Sequence, residues 1–325
     1  MNAFSDLQEL AQEVFNHLAE QAGFDARAYA HTRHWMKDNP DRLHLVMRFD
    51  APGQAPLILK QVFRPEDPSE FNGMLDAQHL AQRAVDPVPG VTVPRILAED
   101  RDIKACLMTF QPGDTLRDLC LTHEDHQPYL RQAGRWLAAY HRGTFQQNRR
   151  FQPRFMAKHM LHLAGQMAAG ERRIRGQDRF IQLAHLVQDF VADHEGRESR
   201  VAAKHGDMNC HNILIDGKDV TGYDFMPISH APVGYDIARL LLNYAVTAAD
   251  LTAIPDGHLL PPKAITAFFD GYDFVGPDDP GVQFLLRIQL LTDWNRTSNR
   301  KGAQALVEFE RLKIIAERAF GATSA

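Results

Sequence analysis

HGDMNCHNILIDGKDVTGYDF, residues 205–225, sets a histidine, a glycine and an aspartate side by side, places an asparagine five residues after that aspartate, and ends on a second aspartate. The apolar runs 213–215 and 220–223 flank a turn carrying Asp216 and Gly217, so they read as a hairpin. Asp207 and Asn212 then stand on the loop entering the hairpin, and Asp224 on the strand leaving it. Phosphoryl transfer asks for few parts: a carboxylate that orients the acceptor hydroxyl and takes its proton, oxygen ligands for Mg²⁺, and a lysine for the non-transferred phosphates. Asp207 is the candidate base, and Asn212 and Asp224 are candidate metal ligands, because a carboxylate and an amide oxygen suit a hard cation. The lysine is Lys60, which stands inside the apolar strand LILKQVF (57–63), where an unpaired charge is costly.

Working outward, Leu7, Leu10, Ala11, Val14, Phe15 and Leu18 recur at helical spacing and predict a first helix. LHLVMRF (43–49) alternates as a strand does, and with 57–63 it predicts a hairpin across Pro52, Gly53 and Pro56. A helix is expected over 69–84, then strands in VTVPRILAED (91–100) and IKACLMTF (103–110). After Gln111, Pro112 and Gly113 the character becomes helical, with patterns at about 128–141, 178–192, 235–245, 262–272, 280–298 and 302–319. The expected architecture is α+β: a small antiparallel-sheet lobe over residues 1–110, a hinge, and a larger, mainly helical lobe over 111–325.

HGDMNCHN at 205–212, YDF at 223–225 and VGYDIARLL at 233–241 together resemble the aminoglycoside phosphotransferase and choline kinase-like family of small-molecule kinases, over a stretch from about Lys60 to about Asn243. The resemblance implies the protein-kinase-like bilobal fold, with ATP as co-substrate and Mg²⁺. It places Asp207 as base and Asn212 and Asp224 on the metal. It makes His205 a brace for the loop and Asp236 an organiser of it, at the start of a helix where an anion is favoured. CLMTFQPG (106–113) resembles the strand into the adenine hinge, where Thr109 and Gln111 would offer a backbone carbonyl and amide. An acidic partner for Lys60 is expected on the next helix: Asp76, 16 residues on, is preferred by spacing, and Glu70 has the longer side chain. The phosphate-covering loop falls at MKDNPD (36–41), between the first two strands, and lacks glycine. Met226 stands where protein kinases carry glycine, which fits the small-molecule branch.

Composition bounds the partners. The chain has 325 residues, 44% hydrophobic and 24% charged, and a net charge of −5, so nothing global points to nucleic acid or an anionic membrane. Three scattered cysteines argue against a disulfide framework and, with no signal peptide or apolar span, for a cytoplasmic protein. His205, Cys210 and His211 lack a second ligand pair at zinc spacing. The acceptor is a small hydroxylated molecule: an amino alcohol, aminoglycoside, sugar or similar. Nine Lys and Arg between residues 141 and 180, opposed only by Glu171 and Asp178, would attract an anion if they faced the site, while Asp270, Asp273, Asp278 and Asp279 would attract an amine. The alternative function is a nucleotide-binding pseudokinase acting as a regulatory module.

Overall fold

The structure, a computed structural model, describes residues 3–321. Helix α1 (Ala3–Gln21) precedes strands β1 (Ala30–Asp38), β2 (Leu43–Asp50) and β3 (Leu57–Arg64). Helix α2 (Ser69–Val85) follows, then β4 (Val91–Thr92), β5 (Ile96–Asp100) and β6 (Ala105–Thr109). Five of these strands form an antiparallel sheet in the order β1-β2-β3-β6-β5. On one face α1 buries Ala11, Val14, Phe15 and Leu18 against Leu45, Met47, Phe49, Leu59 and Leu107. Phe15 stacks on Phe49 with ring centroids 3.6 Å apart. Leu10, expected on the same stripe, points outward and is 45% exposed. On the other face α2 packs Phe71 and Leu75 against Val62, Cys106 and Met108.

The stretch 91–100 is not one strand. Pro94 lacks an N–H and cannot continue a ladder. Its carbonyl accepts a hydrogen bond from Gln78 Nε2 at 2.6 Å, and the chain changes sheets there. β5 joins the amino-terminal sheet, while β4 pairs with a strand of the second lobe. β1 is exposed along nearly its whole length and shows no apolar alternation, as suits an edge strand.

The second lobe begins with β7 (Asp114–Thr115), α3 (Leu116–Thr122), α4 (Gln127–Gly143) and β8 (Phe145–Arg150). It continues with α5 (Arg154–Ala168), α6 (Gln177–Asp189), α7 (Val191–His194) and β9 (Glu198–Ala203). The hairpin β10 (Ile213–Asp216) and β11 (Asp219–Gly222) follows, then β12 (His230–Pro232), α8 (Gly234–Thr247), α9 (Pro262–Gly271), α10 (Pro280–Thr297) and α11 (Ala303–Phe320). The hairpin sits in a small sheet ordered β4-β11-β10-β7, with β4 parallel to β11. Gly217, the first central residue of its turn, has φ +57°, as a II′ turn requires, and the register pairs Ile213 with Gly222. Helix α4 buries Leu130, Ala133, Trp136, Leu137 and Tyr140, which recur at three- and four-residue spacing, and so forms the floor beneath the hairpin. Trp136 is fully buried and donates from Nε1 to the Thr92 carbonyl at 2.9 Å, which ties β4 to that floor. The sheet β12-β9-β8 and helix α5 lie in segments that carried no strand or helix expectation. Among the described residues no helix is long and apolar enough to cross a membrane.

Candidate active site

The loop from Lys204 to Asn212 turns back on itself because Gly206 adopts φ +86°, a conformation that disfavours side chains. A Cβ there would also lie 2.7 Å from Met226 Cβ. The residue in the position of the protein-kinase glycine therefore packs directly on the glycine of His-Gly-Asp. His205 is fully buried, and burial lowers its pKa and keeps it neutral. Its Nε2–H donates to the Tyr223 carbonyl at 3.1 Å, and its Nδ1 accepts from the Asp207 N–H at 3.4 Å. The ring packs against Phe225 at 4.6 Å. Thus one imidazole joins the loop to the segment carrying Asp224.

Asp236, at the start of α8, is 2% exposed. Its carboxylate accepts from the backbone N–H of His205 at 2.8 Å and of Gly206 at 3.3 Å, and contacts His141 Nε2 at 3.2 Å. Burial would push this carboxyl up, but the His141 interaction and the backbone donors outweigh it and hold the pKa below the usual carboxylate range. Asp236 therefore clamps the backbone of the loop and does not line the cleft.

Asp207 lies between two clefts. One is small, about 120 Å³, and is lined by Lys60, Asp224, Glu70, Arg42 and Met226 as well as Asp207. The other, about 750 Å³, is lined by Asp207, Asn212, Arg239 and residues of α10 and α11. Asn212 donates from Nδ2 to the Asp207 carbonyl at 2.8 Å and lies 3.5 Å from its carboxylate Oδ2. The other oxygen, Oδ1, accepts from Arg239 Nη2. Arg239 was missed in the sequence, although it lies three residues after Asp236, close enough to share a helix face.

Lys60 Nζ meets Asp224 Oδ1 at 3.0 Å. Burial disfavours the ammonium, but the Asp224 charge and hydrogen bond prevail and raise the lysine pKa. Lys60 in turn lowers that of Asp224, against burial. Asp224 has φ +66°, a strained value for a residue with a side chain, at a cost of roughly 1–3 kcal/mol. The preference for Asp76 is corrected: Asp76 is bound to Arg101 at 2.8 Å, and Glu70 to Arg42 at 2.6 Å, so neither contacts Lys60. Six residues along a helix turn a side chain by about 240°, so the two acids cannot share a face. Glu70 lines the cleft with Lys60, and Asp76 does not.

Thr109 and Gln111 lie outside the lining of both clefts. Thr109 Oγ1 accepts from Arg95 N–H and from Gln111 Nε2, both at 2.9 Å. The Gln111 N–H meets no protein acceptor among the described residues. The glycine-free segment at 36–41 is the end of β1 and a tight turn, with Asn39 N–H donating to the Arg42 carbonyl. Of the nine basic residues between 141 and 180, none lines the Asp207 cleft. Arg142 is paired with Asp273, Arg154 with Glu195, and Arg172 is bonded to Asn295. The acids expected near 270–280 are equally remote: Asp270 pairs with Arg131, and Asp279 caps α10.

A profile of the phosphotransferase enzyme family matches residues 38–285. The chain belongs to this family of small-molecule kinases. No curated protein matches the sequence significantly. Solved structures share the protein-kinase-like bilobal fold at low identity. A choline/ethanolamine kinase family protein from Mesorhizobium loti is 15% identical with a TM-score of 0.59, covering 95% of each chain. A glucosamine kinase in complex with glucosamine, ADP and inorganic phosphate is 16% identical with a TM-score of 0.58, covering 92% of this chain and 81% of that one. A spectinomycin phosphotransferase in complex with ADP and spectinomycin is 13% identical with a TM-score of 0.54, covering 96% and 97%. These likenesses extend the fold match beyond the profile, to nearly the whole chain.

Proposed function

We propose that the chain transfers the γ-phosphate of ATP to a hydroxyl of a small molecule, with Asp207 as base. The observation that carries this reading is the position of Asp207, which lines both the cleft of Lys60 and Asp224 and the larger cleft of Asn212 and Arg239. A nucleotide in the first and an acceptor in the second would meet at this carboxylate. Residues 1–110 would then form the nucleotide lobe and 111–325 the catalytic and acceptor lobe. Lys60 would bind the non-transferred phosphates, and the Thr109 carbonyl and free Gln111 N–H would receive the adenine.

The donor set fits Mg²⁺. Asn212 Oδ1 and Asp224 Oδ2 accept no hydrogen bond among the described residues, and both are hard oxygen donors. Asn212 and Asp224 would hold the ion, which supplies charge neutralisation for the phosphates when bound. Asp207 Oδ2, the oxygen not held by Arg239, would orient the acceptor hydroxyl and take its proton. Burial of His205 and Asp236 keeps the loop rigid while this occurs.

The test is Mg·ATP turnover against a panel of amino alcohols, amino sugars, aminoglycosides, sugars and sugar acids, followed by ³¹P NMR of the product. A phosphorylated product formed by the wild type and not by Asp207→Asn supports the reading. The second reading, a nucleotide-binding pseudokinase, is favoured by the glycine-free turn at 39–42 and by the Arg239 contact on Asp207. ATP binding with no turnover across the panel would select it.

A further inference from the structure

The larger cleft carries the chemistry of its occupant. Its cations are Lys37, Arg117, Arg239, Arg296 and Arg300. Its carboxylates are only Asp207, Asp293 and Glu308, and each is already engaged. Arg239 holds Asp207. Asp293 is 9% exposed, accepts from Gln289 at 3.1 Å and Arg296 at 2.9 Å, and has its pKa raised by burial. Glu308 accepts from Arg300 at 2.7 Å. Each lining carboxylate thus already has a cationic partner, and the five cations outnumber the three carboxylates. No Trp, Tyr or Phe among the described residues lines the cleft, so a quaternary ammonium would also lack its usual partner.

The arginines are the opposite case, with donors to spare. The Arg117 guanidinium has, among the described residues, only a 3.4 Å contact, to Asp118. Arg239 Nε is buried and meets no acceptor among the described residues. Arg296 is about half exposed and commits one nitrogen to Asp293. A guanidinium presents five N–H groups in a planar fork that matches a carboxylate or phosphate. Four such forks around one cleft, beside the proposed base, form an oxyanion site.

We infer that the hydroxyl acceptor is itself an anion, a small hydroxylated molecule bearing a carboxylate or phosphate that Arg117, Arg239 and Arg296 bind. The inference rests on the kinase reading above and narrows it. It also gives the Arg239–Asp207 contact a purpose. An acceptor anion competes with Asp207 for Arg239, and as the guanidinium turns to the anion, Asp207 loses a counter-charge and becomes the stronger base toward the hydroxyl at Oδ2. A neutral or cationic acceptor offers Arg239 no counter-charge to compete with Asp207 and leaves it on the base.

Calorimetric titration of the full chain tests this, at constant ionic strength, with and without Mg·ADP. The probes are gluconate and glucose 6-phosphate, glucose as the neutral counterpart, and glucosamine and kanamycin as cations. At least one anion should bind ten-fold or more tightly than glucose and glucosamine, and the two anions separate the carboxylate from the phosphate case. Arg117→Gln and Arg296→Gln should each weaken that binding about ten-fold, the size of one lost charge-assisted contact. Arg117 has so little ion pairing that its variant keeps the fold even if Arg296→Gln does not. Equal or tighter binding of glucose, glucosamine or kanamycin overturns the inference, as does the absence of anion binding or anion binding unchanged in Arg117→Gln. Mg·ATP turnover by the wild type across the acceptor panel judges the kinase reading separately: if a neutral or cationic acceptor is phosphorylated and anions do not bind, only the acceptor inference fails.

Discussion

Lys60 and Asp224, 164 residues apart in the chain, meet at 3.0 Å, and with that contact the sheet lobe is joined to the loop lobe at the floor of the smaller cleft. The lysine side chain is 21% exposed and the carboxylate 48%, so the pair is open enough to exchange its partner for a ligand. Each serves as the other's counter-charge.

Replacing Lys60 by Met keeps the apolar stem and removes the charge. Turnover should fall about 10²-fold or more, as for the loss of a positioned electrostatic group. The melting temperature should move by no more than about 3 °C, because an ion pair whose carboxylate is half exposed contributes little. The pair also sets a pH signature. The lowered Asp224 pKa makes its contribution complete above the ordinary carboxylate value of about 4 and lost as pH falls through the shifted one. The raised Lys60 pKa makes its contribution complete below about 10 and lost as pH rises through the shifted one. The stability difference between wild type and Lys60→Met, measured by urea unfolding, should therefore be flat from about pH 5 to pH 9. A marked slope inside that window would show that the pair is not the charged one seen here.

Asp207→Asn should preserve the fold and ATP binding and reduce turnover by a factor on the order of 10² or more. Steady-state kinetics beside calorimetric ATP binding separates the two effects. Turnover close to wild type would remove Asp207 from the chemistry.

Asp224→Ala should abolish the Mg²⁺ dependence of ATP binding, and Asn212→Ala should weaken it, since the two carry the free oxygen donors. Titration of Mg²⁺ at fixed ATP reads this directly. If both variants keep the wild-type Mg²⁺ curve, the ligands lie elsewhere.

Glu70→Ala should lower turnover several-fold while Asp76→Ala changes it little. Glu70 shares the cleft with Lys60 and restrains Arg42, whereas Asp76 faces Arg101 on another side of α2. The reverse order in kcat/KM would return the role to Asp76.

Asp236→Ala should destabilise the protein by about 3–5 kcal/mol in guanidinium unfolding, the range for removing one partner from a buried polar pair. The loss would leave the His205 and Gly206 N–H groups without their acceptor. A change below about 1 kcal/mol would mean that the loop is held by other contacts.

Residues 205–225 by themselves determined much of this protein. The order of His-Gly-Asp, asparagine, hairpin and second aspartate depends on local spacing, which a sequence displays directly. The same holds for the apolar periodicity of α4, α8, α9, α10 and α11, and for the family, whose motif is local too. The sequence could not show which charges meet. Spacing favoured Asp76 over Glu70, and only the rotation of α2 about its axis shows that Glu70 is the one that lines the cleft with Lys60. Arg239 lay within the quoted motif, but its contact with Asp207 depends on how α8 is placed against the loop. The basic run at 141–180 looked like a candidate anion site and proved to be spread over other surfaces, while the arginines that line the cleft come from α3, α8, α10 and the turn after α10. Side chains that share a cleft are drawn from distant segments, and their meeting is decided by packing of whole helices in the core. That packing follows from the total apolar surface buried, not from any local pattern, so the loop was legible in the sequence and the cleft around it was not.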